Sequence, residues 1–513
     1  MGQGAGAEIG RGGRLGGLWL PPVLRDRLRP RVLLRFLLLA LALTGVYLGG
    51  ESLAFLYRQR AANAAVAHMH LAVVPPPSRS TRLMVFAPHC DDETLGCGGL
   101  IQQTLAAGGS VRAVMLTNGD GFRTAVARQV RNLRVGPSDY IQFAALRQQE
   151  TIRALGSLGV KRDDVLFLGY PDRGLMTLWY EDWTPAHTYT SAYTRCDRSP
   201  YANTFDPAAR YCGQDLLGDI KAVLRVYRPT LVTVTHPAED HPDHDAAATF
   251  VTLALSQLQA DPKEGAWARK TRLRYYLVHR GDWPQPQGPH LKDPLLPPAE
   301  MASLDTTWRI LPLTPQETAR KDHAIELYPS QMDLMGRFLA SFARRNELFG
   351  EITPTRLRTV PEGTMHTDAS PADWETQPPV LLDPVRDNVL RDLQGGGDIR
   401  ALYACRDSHT LYLRLDTRQP ISSRMVYTLR LRAFDPQGET GPRAYALHLH
   451  ADDRALAEGV RVAARGRILE AAIPWTELTR REGVATIRTL AVSAATSLEG
   501  VEVDKTGVRF LTL

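Results

Sequence analysis

The chain has little net charge outside its first 35 residues. That stretch holds seven arginines against Glu8 and Asp26, so of the formal +6 only about one positive charge is left for the rest. The basic charge is therefore an N-terminal flank, and no nucleic-acid partner is expected. Cysteine is scarce, five in 513 residues, and the odd number leaves at least one free or paired between chains. No internal repeat is evident, which sets aside solenoid architectures. At 44% hydrophobic and 23% charged the chain is globular, and it is too long for one ordinary domain.

One apolar run is long. Residues 36–50 carry no charge, and residues 32–50 are interrupted only by Arg35, which can snorkel to a headgroup layer. A bilayer span takes roughly 20 apolar residues, with about 17 as a lower limit. Arg25, Arg27, Arg29 and Arg31 precede the run, so positive-inside bias predicts a cytoplasmic N-terminus and an outward-facing bulk. The expectation is a single-pass anchor at the cell membrane: flank 1–31, transmembrane helix or signal anchor 32–50, linker 51–80. A cleaved signal peptide is the competing reading, but the small-residue triplets at 62–64 and 65–67 lie far beyond the apolar core.

From residue 81 strands and helices alternate. Strands are expected at 82–87, 111–117, 165–168, 231–235 and 273–279, with helices at 93–107, 141–156, 214–227, from about 244, and 315–345. This pattern predicts an α/β domain over 81–350, a Rossmann-like parallel sheet with helices on both faces. Residues 171–213 form a long aromatic-rich insertion without clear periodicity, the mark of a functional loop or lid. Cys196 and Cys212 flank part of it, where a disulfide would suit an oxidising compartment. Residues 351–379, rich in proline, read as a linker. Short alternating strands at 411–415, 427–431, 446–449 and 468–473 predict a β-sandwich over 380–513.

Two polar clusters carry the chemistry. His89-Cys90-Asp91-Asp92-Glu93 follows the first strand, and His241-Pro242-Asp243-His244 follows the strand at 231–235. Both fall just past C-terminal strand ends, where open α/β sheets place ligands. Two imidazoles, a carboxylate and spare acid/base groups on two such loops suit a catalytic Zn2+ with an open position. A hydrolase of this kind needs metal ligands, a base for the attacking water, and a group that stabilises the oxyanion and protonates the leaving group. His89 and Asp92 can face one metal, with Asp91 beside it. One imidazole of the second cluster can complete the site while the other faces substrate. Cys90 is read as a small packed residue rather than a ligand. Taken singly, adjacent aspartates are often only helix N-caps. Two clusters landing in register with one fold are harder to dismiss.

These motifs resemble the PIG-L (LmbE-like) zinc deacetylase family, whose members remove acetyl groups from N-acetylglucosamine units. The resemblance covers roughly residues 80–350. It rests on the two clusters together with Arg147-Gln148-Gln149-Glu150, Leu168-Gly169-Tyr170-Pro171-Asp172, Thr235-His236-Pro237 and Tyr328-Pro329-Ser330-Gln331. It implies His89, Asp92 and His244 as zinc ligands, Asp91 as general base, and His241 as oxyanion stabiliser or acid. Asp120, Arg147 and Asp172 match positions lining the family's sugar pocket. Cys90 replaces the usual proline.

The C-terminal part more faintly resembles the sandwich domains appended to carbohydrate-active enzymes. Trp475 is there a candidate for sugar stacking or core packing, and the aspartates at 383, 387 and 407 for a calcium ion or for turns. The expected function is zinc-dependent deacetylation of an extracytoplasmic glycan or glycolipid. The alternatives are an amidase on another acyl-amine conjugate and an inactive glycan-binding surface protein. The orientation is open to test. A reporter fused after Leu513 should be active only in its exported form, and cytoplasmic reporter activity would overturn the anchor's direction.

Overall fold

The computed structural model describes residues 34–42, 45, 66, 68–281, 283–302, 304–385, 395–434, 443–456, 459–479 and 487–513. The chain divides into units Met1–Ala64 and Ala65–Leu513. In the first, residues 34–42 are helical and their apolar side chains are exposed. The rest of the expected 32–50 span, save Gly45, lies outside the described residues, and so does most of the expected linker 51–80 up to residue 67. Among the described residues no helix is long and apolar enough to cross a membrane.

The second unit begins earlier than residue 81. Strand β1 (Ala72–Val73) pairs in parallel with β7 (Thr306–Pro312), and Val74 is buried behind it. The sheet is completed by β2 (Arg82–Ala87), β3 (Ser110–Thr117), β4 (Val165–Tyr170), β5 (Leu231–Thr235), β6 (Arg272–Tyr276) and β8 (Asn346–Ile352). Its order is β1-β7-β8-β6-β5-β2-β3-β4. The strands β2, β4 and β5 read as largely apolar runs because helices cover both faces. The chain runs from β2 to β3 and β4 on one side, then crosses to β5 and β6 on the other. The strand order thus reverses between β2 and β5, and the loops leaving those two strands open side by side. Helix α1 (Asp92–Ala106) follows β2, α2 (Pro137–Ser157) precedes β4, and α4 (Gly213–Tyr227) precedes β5. Helix α5 (Pro242–Ala260) follows β5.

Several expectations need correction. The sheet is not wholly parallel, since β8 runs antiparallel to both β6 and β7. The single helix expected at 315–345 is two, α6 (Pro315–Glu326) and α7 (Pro329–Ala340). The break falls at Tyr328, where the following proline disfavours helical backbone. The 171–213 insertion is not all loop: α3 (Leu175–Tyr180) sends Leu175, Leu178 and Trp179 into the core, joined by Trp183 and Tyr211. Cys196 and Cys212 are unbonded. Backbone hydrogen bonds close that loop instead, from Tyr211 N to Asp197 O (2.8 Å) and from Ser191 N to Cys196 O (2.9 Å).

The C-terminal part is a sandwich of two six-stranded sheets. One contains β10 (Arg358–Thr359), β11 (Leu381–Leu382), β12 (Ile399–Arg406), β13 (Thr410–Thr417), β16 (Arg461–Arg465) and β17 (Ile468–Pro474). The other contains β9 (Thr355–Arg356), β14 (Met425–Phe434), β15 (Arg443–Leu449), β18 (Thr489–Leu498), β19 (Val501–Lys505) and β20 (Arg509–Thr512). The expected linker 351–379 is therefore woven into the sandwich: β9 pairs with β20, β10 with β12, and Trp374 is buried. Trp475 is half-buried against the sandwich core. Asp407 accepts hydrogen bonds from His409 N, Thr410 N and Tyr412 Oη, so it shapes a turn.

The sandwich is not a detached module. Phe434, Ala491 and Val508 belong to the same apolar cluster as Trp179, Trp183 and Phe250. Trp179 touches Phe250, Phe434 and Phe510 with ring centroids 5.4, 5.9 and 6.1 Å away. Truncating a buried aromatic of this size costs about 3–5 kcal/mol. Trp179→Ala should therefore shift denaturant unfolding by that amount while residues 65–513 still unfold in one transition. Two separate transitions in the wild type would show that the halves are independent.

Candidate active site

The site grows from the turn after β2. Thr117 at the end of β3 binds Pro88 O through both its N (3.0 Å) and its Oγ1 (2.8 Å), fixing where the chain leaves the sheet. Asp91 then takes φ 152°, a conformation rare for a non-glycine residue, and α1 begins. Such strain persists only where surrounding contacts impose it. The Asp92 carboxylate folds back to accept the His89 N–H at 3.0 Å. On the second loop His241 is the N-cap of α5, and His244 lies on its first turn, its carbonyl held by Thr235 Oγ1 at 2.7 Å.

Three ligand atoms meet. His89 Nδ1 lies 3.1 Å from His244 Nε2 and 3.3 Å from Asp92 Oδ2, and the last two are 3.2 Å apart. Ligand atoms on one tetrahedral zinc, with bonds of about 2.0–2.2 Å, stand roughly 3.3–3.5 Å from one another. Asp92 Oδ1 is buried without a hydrogen-bond partner, leaving a lone pair available. Three such acceptors crowded together call for a cation, and the donor set fits zinc. Burial alone would lower both imidazoles. Asp172, Asp243 and Asp92 instead hold His89 well above its usual range, and Asp92 with Glu239 holds His244 at about 9. Burial pushes Asp92 up, but the His244 charge carries it well below the usual carboxylate range.

Outer groups orient the ligands. Glu239 Oε2 lies 3.1 Å from His244 Nδ1, and Glu239 is itself held by the N–H groups of Val278 (2.7 Å) and His279 (2.5 Å). His89 Nε2 faces Asp172 Oδ1 (3.3 Å) and Asp243 Oδ2 (3.4 Å). Both imidazoles thus have the carboxylate partner typical of metal-ligating histidine. The His241 ring meets His89 edge-on at 4.7 Å. Burial and the charges of His89 and His244 depress its pKa, so the ring is neutral. Its Nδ1 accepts from Asp243 N at 3.2 Å, which leaves the proton on Nε2.

Asp91 stands beside the three ligands without joining them. Burial raises its pKa, against the pull of Arg147, to about 7. Arg147 is 3% exposed and donates to Cys90 O and Gly119 O (both 2.6 Å) and to Asp91 Oδ2 (3.1 Å). The structure thus places Arg147 beneath Asp91, where it holds the loop. Asp172, likewise expected in a sugar pocket, sits against His89. Asp120 accepts from Tyr201 Oη of the insertion at 2.8 Å, and its Oδ1 is buried without a partner. Burial, then the Asp172 charge, raises Asp120 to about 7. Cys90 is buried in apolar surroundings that push its thiol up, in keeping with a packed residue. Glu150 receives Ser330 N (3.1 Å) and Oγ (2.6 Å), and Tyr328 Oη donates to Glu93 Oε1 (2.5 Å), so those motifs clasp α7 to the site.

The sequence reading missed Glu239, Asp243 and His279. Asp243 lies inside the second motif and Glu239 two residues before it, whereas His279 joins only through folding, grouped with Asp92 and His244.

Residues 84–255 match the family model for PIG-L, described as GlcNAc-PI de-N-acetylase. They form a PIG-L family domain. The PIG-L domain has curated relatives among the 1D-myo-inositol 2-acetamido-2-deoxy-alpha-D-glucopyranoside deacetylases. That of Catenulispora acidiphila is 30% identical over 196 residues, 37% of this chain and 53% of the relative. That of Tsukamurella paurometabola is 29% identical over 209 residues, 39% of this chain and 63% of the relative. The chain spans about half the length of the curated relatives it matches. Among solved structures, the N,N'-diacetylchitobiose deacetylase from Pyrococcus horikoshii is 19% identical and covers 53% of this chain and 83% of its own. The TM-score between the two is 0.32.

The geometry separates ligand from base. His244→Ala should abolish metal uptake in elemental analysis. Asp91→Asn should keep the metal and lose on the order of 10²–10⁴ in rate, the usual share of general base catalysis. Metal loss in Asp91→Asn with retention in His244→Ala would reverse the assignment.

Proposed function

We propose that this chain is a zinc-dependent hydrolase that removes acetyl groups from N-acetylglucosamine-type units of an extracytoplasmic glycan or glycolipid. The reading is carried by the three ligand atoms of His89, Asp92 and His244, all within 3.3 Å of one another, beside a carboxylate that none of them uses. It is supported by the match to a de-N-acetylase family and by relatives whose names describe deacetylation of an acetamido sugar. The basic flank and the apolar run at 32–50 support a membrane-anchored, outward-facing enzyme.

Zinc, when bound by His89, Asp92 and His244, supplies Lewis acidity that acidifies a water and polarises the amide carbonyl. Asp91, with its raised pKa, takes the proton from the attacking water. Arg147 fixes the Asp91 carboxylate by donating to its Oδ2. His241 Nε2–H donates to the oxyanion as it develops. The proton held on Asp91 is available to the departing amine. The buried Asp120, with one unpartnered oxygen, accepts a sugar hydroxyl.

Acetate release from a panel of N-acetylated oligosaccharides and glycolipids tests the reading. Turnover should stop with chelator and return with zinc. Release confined to non-sugar acyl-amines would favour the amidase alternative, and no release from any substrate the inactive one.

A further inference from the structure

Each imidazole ligand is held from behind by a chain of contacts that begins in the C-terminal sandwich. The first runs through α3. Asp243, which faces His89 Nε2, accepts the N–H groups of Arg173 (2.6 Å) and Leu175 (3.1 Å) at the start of that helix. The other end of α3 is capped by Arg432 of β14, which donates to Trp179 O and lies 3.4 Å from Tyr180 O. The carbonyls at a helix C-terminus lack partners within the helix and favour a cation there. The Arg432 guanidinium also lies over Trp179 (5.3 Å) and Trp183 (4.6 Å) and is only 4% exposed. Tyr180 is fixed in turn by Arg430 over its ring (4.6 Å) and by Ser493 Oγ on its hydroxyl (3.0 Å).

The second chain runs through the loop before α5. The turn between β19 and β20 packs so closely on that loop that a Cβ on Gly507 would lie 2.2 Å from Pro237 O. Two residues on, Glu239 orients His244 Nδ1. A side chain on Gly507 forces that turn or the Pro237 backbone to shift, two residues from Glu239.

We infer that the sandwich is a positioning element of the metal site, with Arg432 setting His89 through α3 and Asp243, and Gly507 setting His244 through Pro237 and Glu239. This rests on the reading of His89, Asp92 and His244 as metal ligands. It departs from a sandwich whose task is to hold glycan. Both residues lie outside the catalytic constellation and touch neither ligand.

The full chain is tested as Gly507→Ala, Arg432→Met and Arg432→Lys, with Leu413→Ala in the sandwich core as a control for lost stability alone. Zinc affinity is read by competition with a chelator, without substrate, alongside Tm and the kcat and KM for a small soluble N-acetylated sugar. Loss of an orienting partner typically weakens metal binding 10–100-fold. Gly507→Ala and Arg432→Met should weaken zinc by roughly tenfold or more and lower kcat with KM little changed. Arg432→Lys, which retains a cation at the helix end, should recover part of the loss. Leu413→Ala should lower Tm while leaving zinc affinity as it was. Unchanged zinc affinity in both strut variants, or an equal loss in Leu413→Ala, overturns the inference. So does an effect confined to KM on polymer. A wild type that takes up no metal instead overturns the functional reading, and the struts with it. Where Gly507→Ala fails to fold, the Arg432 pair carries the decision.

Discussion

The structure turns on one crowded spot, where His89 Nδ1, His244 Nε2 and Asp92 Oδ2 lie within 3.3 Å of each other in a buried setting. Three acceptor atoms in such a setting repel unless positive charge lies among them. The protein keeps them there by tying each down from another side. Asp92 is tied by the His89 N–H, His244 by Glu239, and His89 by Asp172 and Asp243. Because β2 and β5 are neighbours, the two loops bearing the ligands leave the sheet together and need little further help to converge.

The same crowding sorts the acid/base roles. Neighbouring charges drive Asp92 and Asp172 below the usual carboxylate range, while burial lifts Asp91 and Asp120 above it. Two adjacent aspartates are thereby split, one held ionised and the other able to take up a proton. His241, flanked by two imidazoles, stays neutral and keeps a donor free.

What was legible in the sequence follows from how local its cause was. The strands at 82–87 and 231–235 were readable because an apolar run and a polar cluster adjoin in the chain, and the candidate ligands came with them. The helix at Leu175–Tyr180 was not, because six residues span less than two turns and show no period. Its helicity comes from Trp179 packing on Phe250 and Phe434. The strands at 355–356 and 358–359 are too short to alternate, and the prolines around them suggested a linker. Strand β8 fell between a stretch read as helix and one read as linker, and its pairing with β6 and β7 identifies it. His279 joins the site only because β6 lies beside β5.

The weave at residues 355–359 has a consequence for biosynthesis. Thr355 and Arg356 find their partners at Leu511 and Thr512, more than 150 residues later in the chain. A growing polypeptide makes the ligands early, yet it cannot close the sheet that backs them until its last described strand has emerged. Such long-range pairing is slow and leaves apolar edges exposed meanwhile. The nascent chain therefore passes through a stage in which its histidines are present but not yet arranged. A cation held by His89, Asp92 and His244 would then be taken up only after the strand at Arg509–Thr512 has been made.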